Sequence, residues 1–285
     1  MSITRRQFTQ TAASAAAAIA VGERTAAEAA DRSAPGKPVP EAPAHDMSAM
    51  PAHWIGKEQI AFLIYPEFTA LDMVGPHHML TGLMGATVHI VAKTRDPVKS
   101  DTGLTFVPSA TFEECPADLD IICVPGGTQG TLAAMQDEAT IRFLRDRGSR
   151  ARFVTSVCTG SLVLGAAGLL DGYRATSHWA AKPVLPVFGA IPTEGRVVRD
   201  RNRITGGGVT AGIDFGLSLV GQLRDRQYAE VAQLIAEYAP EPPYDAGTPA
   251  RAPAEVRALT EPMFVDFLKQ AEAVGRAAFA RNKTL

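Results

Sequence analysis

Hydrophobic and polar positions follow two alternating patterns along this chain. Short continuous apolar runs, with no polar face, are separated by longer stretches of helical period. Ile60-Ala61-Phe62-Leu63-Ile64-Tyr65 is the first such run and stops at Pro66. An uninterrupted apolar run of this length predicts a strand buried on both faces of a sheet. Asp72–Met84 follows as a helix, Thr87–Ala92 as a second strand, and Leu119–Val124 as a third that breaks at Pro125-Gly126-Gly127. A helical stretch around Ile141–Arg147 leads to another strand, Phe153–Val157. Gly160–Leu170 reads as a helix ending near Gly172. Shorter strands are expected at Tyr173–Thr176, Arg196–Arg199 and Arg203–Thr205, and closing helices at Val209–Leu223 and Tyr228–Tyr238. Strands alternating with helices imply an α/β fold with a largely parallel sheet covered on both faces.

The ends of the chain lack this pattern. Thr4-Arg5-Arg6-Gln7-Phe8 precedes a weakly apolar, alanine-rich stretch, Ala12–Val21. A twin-arginine pair ahead of a modest small-residue segment marks residues 1–30 as a Tat-type export signal and the protein as periplasmic. The alternative is an alanine-rich helix with two surface arginines. The apolar stretch falls short of the ~20 residues a membrane span needs, so no stable membrane anchor is expected. Residues 31–57 have no periodicity, as in Pro35-Gly36-Lys37-Pro38-Val39-Pro40, and read as a flexible spacer. Residues 58–245 form one α/β domain without a linker-like break. Residues 246–285 are a C-terminal helical extension with an amphipathic helix over Pro262–Phe279.

With 46% hydrophobic and 20% charged residues among 285, the chain can bury a sizeable core. A net charge of −2 and the absence of a basic run argue against a nucleic-acid partner. Its three cysteines, Cys115, Cys123 and Cys158, are odd in number and lack metal-site spacing, so at least one thiol is free and no metal site is expected.

Cys158 is the candidate for chemistry. It follows a buried strand and precedes a small-residue helix, in Ser156-Val157-Cys158-Thr159-Gly160-Ser161, the arrangement of a nucleophile elbow. A thiol at a helix N-terminus faces unpaired backbone N–H groups and the positive end of the dipole, which is expected to favour the thiolate. The competing reading, that cysteine is a small buried hydrophobe, fits Cys123 in its apolar strand. Gly126-Gly127 ends a parallel strand, where backbone N–H groups can serve as oxyanion donors, or where the pair is a plain turn. Asp72 lies beyond another strand end and is either a general acid–base or a helix N-cap.

Tyr65-Pro66-(x)5-Asp72-(x)2-Gly75-Pro76, Val124-Pro125-Gly126-Gly127 and Ser156-Val157-Cys158-Thr159-Gly160 together resemble the ThiJ/PfpI superfamily, and within it the isonitrile hydratase branch. The likeness continues through Ala175-Thr176-Ser177-His178-Trp179 and Gly207-Gly208-Val209-Thr210-Ala211-Gly212-Ile213-Asp214. It implies a flavodoxin-like three-layer sandwich, usually a homodimer, that acts on a small molecule without metal or organic cofactor. The hydratase pattern places function on Cys158, Asp72 and Thr159, with Gly127 and the Thr159 backbone N–H as the oxyanion hole. Gly126 and His178 are candidate supporting residues, His178 equally a packing residue of the core or a dimer contact. Thr159 stands where peptidase-like members carry histidine, which argues against a Cys-His peptidase. Two departures are the export signal and His77-His78 after the Gly-Pro pair, where aromatic and acidic residues are expected. The activity implied is hydration of an isonitrile to an N-substituted formamide. The alternatives are cofactor-independent glyoxalase- or deglycase-type chemistry on an aldehyde or other small electrophile, and a periplasmic thiol redox sensor or holdase.

Overall fold

In the computed structural model, residues 50–282 are described. The expected export signal, 1–30, and the greater part of the expected spacer, 31–49, lie outside them. The chain opens with strand β1 (Gln59–Leu63), helix α1 (Ala70–Thr81) and β2 (Thr87–Ala92). Three short strands, β3 (Val98–Lys99), β4 (Thr105–Phe106) and β5 (Ala110–Thr111), precede β6 (Ile121–Val124). Helices α2 (Gln129–Gln136) and α3 (Glu138–Arg150) lead to β7 (Phe153–Val157), α4 (Gly160–Ala166) and β8 (Arg174–Ala175). After a 3-10 segment come β9 (Ile191–Pro192), β10 (Val197–Asp200), β11 (Arg203–Gly206), α5 (Ala211–Leu223) and α6 (Arg226–Ile235). Helices α7 (Ala254–Thr260) and α8 (Val265–Asn282) close the described chain.

Seven strands form one sheet in the order β10-β11-β7-β6-β1-β2-β5. Every pairing in it is parallel except the β10–β11 hairpin at one edge. Helices α1, α5 and α6 pack together, and α2, α3, α4 and α8 form a second group, giving the three layers expected from the alternation of strands and helices. The central strands β6 and β7 are buried at every position, which is why their sequences show no alternation. Strand β7 nonetheless carries Thr155 and Ser156. The Thr155 hydroxyl is satisfied by donating to the Ile122 carbonyl at 3.0 Å.

The sequence pattern locates the longer strands of the sheet but not the two-residue strands β3, β4, β5 and β9, and it misses the helices α2 and α7. Helix α2 was absent from the expected elements because its residues, Gln129–Gln136, carry little amphipathic signal. The last helix runs over Val265–Asn282, after a separate α7, rather than over Pro262–Phe279. Part of the expected spacer is folded: Trp54 is buried, donates its indole N–H to Asp225 at 2.7 Å and meets the Tyr228 ring edge-on. Beside it, Arg224 forms a fork to both carboxylate oxygens of Glu58 at 2.6 and 2.8 Å. The C-terminal extension also joins the core, because α8 packs on α2 and α4 and buries Phe267, Ala271 and Ala278.

Close approach of α4 to the sheet depends on Gly160. A Cβ there would lie 2.2 Å from the Val124 carbonyl oxygen and 2.6 Å from that of Pro125, both backbone atoms that cannot swing aside. Gly160→Ala is therefore expected to lower stability by about 1–3 kcal/mol, read from the urea midpoint. An unchanged midpoint would show that this contact has slack.

Candidate active site

Three parallel strands end side by side and deliver the candidate residues to one edge of the sheet. Past the carboxyl end of β1, α1 carries Asp72 in its first turn. Past β6 come Gly126 and Gly127, and past β7 come Cys158 and Thr159. Ligands of open α/β sheets bind in the crevice at such an edge.

Cys158 has φ +57°, a left-handed conformation that costs a non-glycine residue of order 1–3 kcal/mol and persists only when its surroundings fix it. Here they do. Its N–H donates to the Gly206 carbonyl at 3.0 Å, and its own carbonyl accepts from the hydroxyls of Ser161 and Ser177 at 3.2 and 3.1 Å. The strained turn expected of a nucleophile elbow is present.

Asp72 is completely buried. It is not an N-cap: Thr69 holds that position, and Asp72 Oδ2 accepts from the Gly126 N–H at 2.8 Å, across to the next loop. Oδ1 is buried with no hydrogen-bond partner. The Cys158 thiol lies near enough to act on the carboxyl electrostatically, yet no hydrogen bond of ordinary geometry reaches Oδ1. Gly126 must lack a side chain for this to fit, since a Cβ would fall 2.5 Å from Thr159 Oγ1 and 2.9 Å from Asp72 Oδ2.

Burial raises the Asp72 pKa to about 7, and the charge of Asp101 adds to the shift while the Gly126 N–H opposes it. The Cys158 thiol is pushed well above its ordinary value, first by burial and then by the Asp72 charge. This overturns the expectation that the helix start yields a ready thiolate. The Thr159 N–H does favour the thiolate, but burial beside a carboxyl outweighs it. The two groups titrate as a pair, in which the thiol keeps its proton while the carboxyl gains or loses its own near neutrality.

Thr159 is tied down. Its hydroxyl donates to the Gly127 carbonyl at 2.6 Å, accepts from the Gly127 N–H at 2.9 Å, and lies 2.9 Å from the Thr131 hydroxyl. With its single proton on Gly127, it receives the Thr131 proton. Two expectations change in consequence. The Gly127 N–H is engaged by a side chain and is not free as an oxyanion donor, so of the two expected donors only the Thr159 N–H faces the sulfur. The Thr159 hydroxyl holds the Gly127 loop in place.

Thr131 and Tyr65 complete this network and were missed as site residues. The Tyr65 hydroxyl donates to the Pro125 carbonyl at 2.6 Å. Tyr65 stood in the recognised Tyr-Pro motif without a role, and Thr131 lies in the unrecognised α2. His178 does not join the network; its ring packs against Trp179 and Phe264. His77 rests against Phe62, and His78 lines an apolar groove between α1 and α6. Cys123 is fully buried and burial pushes its thiol up to about 12, in keeping with a packing role. Among the described residues, no cluster of His, Cys, Asp and Glu is placed to hold a metal ion, and no helix is long and apolar enough to cross a membrane.

Comparison with known proteins gives a consistent picture. The DJ-1/PfpI family model matches residues 58–222. The chain is 54% identical over 198 residues to the isonitrile hydratase of Pseudomonas putida, covering 70% of this chain and 86% of that protein. It is 26% identical over 148 residues to the deglycase PH1704 of Pyrococcus horikoshii, 52% of this chain and 88% of that one. The crystal structure of a ThiJ/PfpI family protein from Pseudomonas syringae superposes with a TM-score of 0.78 at 57% identity, covering 85% of this chain and 98% of the other.

Removing the Asp72 charge should release the thiol. Asp72→Asn is expected to shift the pH midpoint of Cys158 alkylation downward, because a neutral amide no longer opposes the thiolate. A midpoint unmoved or raised in that variant would show that the carboxyl does not control the sulfur.

Proposed function

The chain belongs to the DJ-1/PfpI family, and on that premise we propose that it is a lyase-type enzyme hydrating an isonitrile, R–N≡C, to the N-substituted formamide. The observation that carries this reading is a buried carboxyl, with one oxygen unpartnered, beside a buried thiol held in a strained turn. The 54% identity to an isonitrile hydratase supports it.

The geometry suits a proton relay. The thiol proton passes to Asp72, and the sulfur attacks the terminal isonitrile carbon, where the Thr159 N–H steadies the thiolate. Asp72 then protonates that carbon, giving a covalent thioimidate, Cys158–S–CH=N–R. Water adds to the same carbon as its proton passes by way of Asp72 to the nitrogen, and the proton of the new hydroxyl then goes to the departing sulfur. The C–S bond breaks to release R–NH–CHO and return the thiol. The sum is one isonitrile plus one water giving one formamide, with no proton drawn from elsewhere. An acid whose pKa lies near neutrality is suited to both directions of transfer.

Glyoxalase- or deglycase-type chemistry has the 26% identity to the deglycase in its favour, and the same thiol serves it. A redox sensor fits less well, since oxidation proceeds through an accessible thiolate and this thiol is buried and held protonated. Export by residues 1–30 and assembly as a homodimer belong to the proposal. The exposed Val231, Leu234 and Ile235 of α6, beside the α1–α6 groove, support the dimer. Cytoplasmic recovery of the full chain would contradict the first, and monomeric sedimentation the second.

Turnover of a simple alkyl isocyanide, followed by formamide appearance, tests the reading. Cys158→Ala should abolish it and Asp72→Asn should lower kcat by about 10²–10⁴-fold. The active pair carries one proton, so kcat/KM should rise with pH through about 7, the Asp72 value, and Asp72→Asn should lose that rise. A folded protein inert toward isocyanides but active on an aldehyde would transfer the assignment to the alternative.

A further inference from the structure

On the β11 side of Cys158 lies a cavity of ≈ 620 Å³, within the range of small-molecule sites. Its lining includes Ser177 and Gly207. Ser177 is the residue whose hydroxyl holds the Cys158 carbonyl, and Gly207 follows the Gly206 carbonyl that accepts the Cys158 N–H. The cavity therefore abuts the backbone that carries the nucleophile.

One wall is aromatic. Trp179 lines the cavity, and its ring is fixed by His178 at 5.4 Å between centroids and by the edge of Phe264 at 5.5 Å. His178 and Phe264 themselves lie 5.1 Å apart, closing a three-ring cluster. Burial lowers the His178 pKa, so this cluster stays neutral near pH 7. Phe264 comes from the C-terminal extension, and so does the strap Gly247–Ala250 that forms another wall. The charges at the rim are already paired, Lys182 with Glu194 and Arg196 with Asp214. Nothing there calls for a charged substituent. A flat neutral group lying against Trp179 fits the walls.

We infer that this cavity receives the N-substituent of the isonitrile, and that Trp179 selects for a planar aromatic substituent. The inference rests on the hydratase reading and names the substrate class for it. It also gives the C-terminal extension a role in specificity, as the source of the strap and of the ring that fixes Trp179.

The test is the ratio of kcat/KM for 2-naphthyl isocyanide over methyl isocyanide, in the full chain and two variants. Trp179→Leu removes the aromatic wall, and Ala250→Trp fills the cavity from an exposed strap. Both should lower the ratio about ten-fold, chiefly through KM for the naphthyl substrate. A ratio unchanged in both variants, or a wild-type protein that accepts methyl but not naphthyl isocyanide, overturns this inference while leaving the hydratase reading intact. Failure to hydrate either isocyanide sinks that reading, and this inference with it.

Discussion

Burial of the Asp72 carboxyl beside the Cys158 thiol is the constraint around which this end of the molecule is organised. An isolated buried carboxylate is costly, and the protein meets the cost by raising the pKa to about 7 and by aiming one backbone N–H, that of Gly126, at Oδ2. Oδ1 is left without a partner, and the neighbouring thiol is itself kept protonated. Such an arrangement stores no thiolate. It stores a donor and an acceptor whose proton can move when an electrophile arrives.

The surrounding elements exist in the positions that this pair needs. Strands β1, β6 and β7 are adjacent in the sheet, so their carboxyl ends bring Asp72, Gly126 and Cys158 together from positions far apart in the chain. The Tyr65, Thr131 and Thr159 hydroxyls then lock the Gly127 loop against α4. Two serines and Gly206 fix the strained cysteine. The sheet supplies order of approach, and the hydroxyl network supplies rigidity.

Much of this was legible in the sequence, for physical reasons that also explain the gaps. Buried strands announce themselves as apolar runs, so β1, β6 and β7 and the parallel architecture follow from pattern. Cys158 and Asp72 were recognisable because a turn between strand and helix restricts the residues beside them. Helix α2 was not, because a helix with a weak apolar face has no period to read, and Thr131 was lost with it. The direction of the Cys158 shift was misread for a different reason. A helix start favours the thiolate, but sequence does not show depth of burial, and burial beside a carboxyl is the larger effect. The engagement of the Gly127 N–H by Thr159 is likewise a matter of rotamer, which pattern does not encode.

The covalent step is the centre of the account, and acid-quenched mass spectrometry tests it most directly. The protein is mixed with an alkyl isocyanide, quenched within the first turnovers, and the peptide bearing Cys158 is weighed. The account predicts a gain equal to the mass of one isocyanide on that peptide, disappearing as substrate is exhausted. Formamide accumulating while the Cys158 peptide stays unmodified at every quench time would contradict it, leaving Asp72 to activate water without a sulfur intermediate.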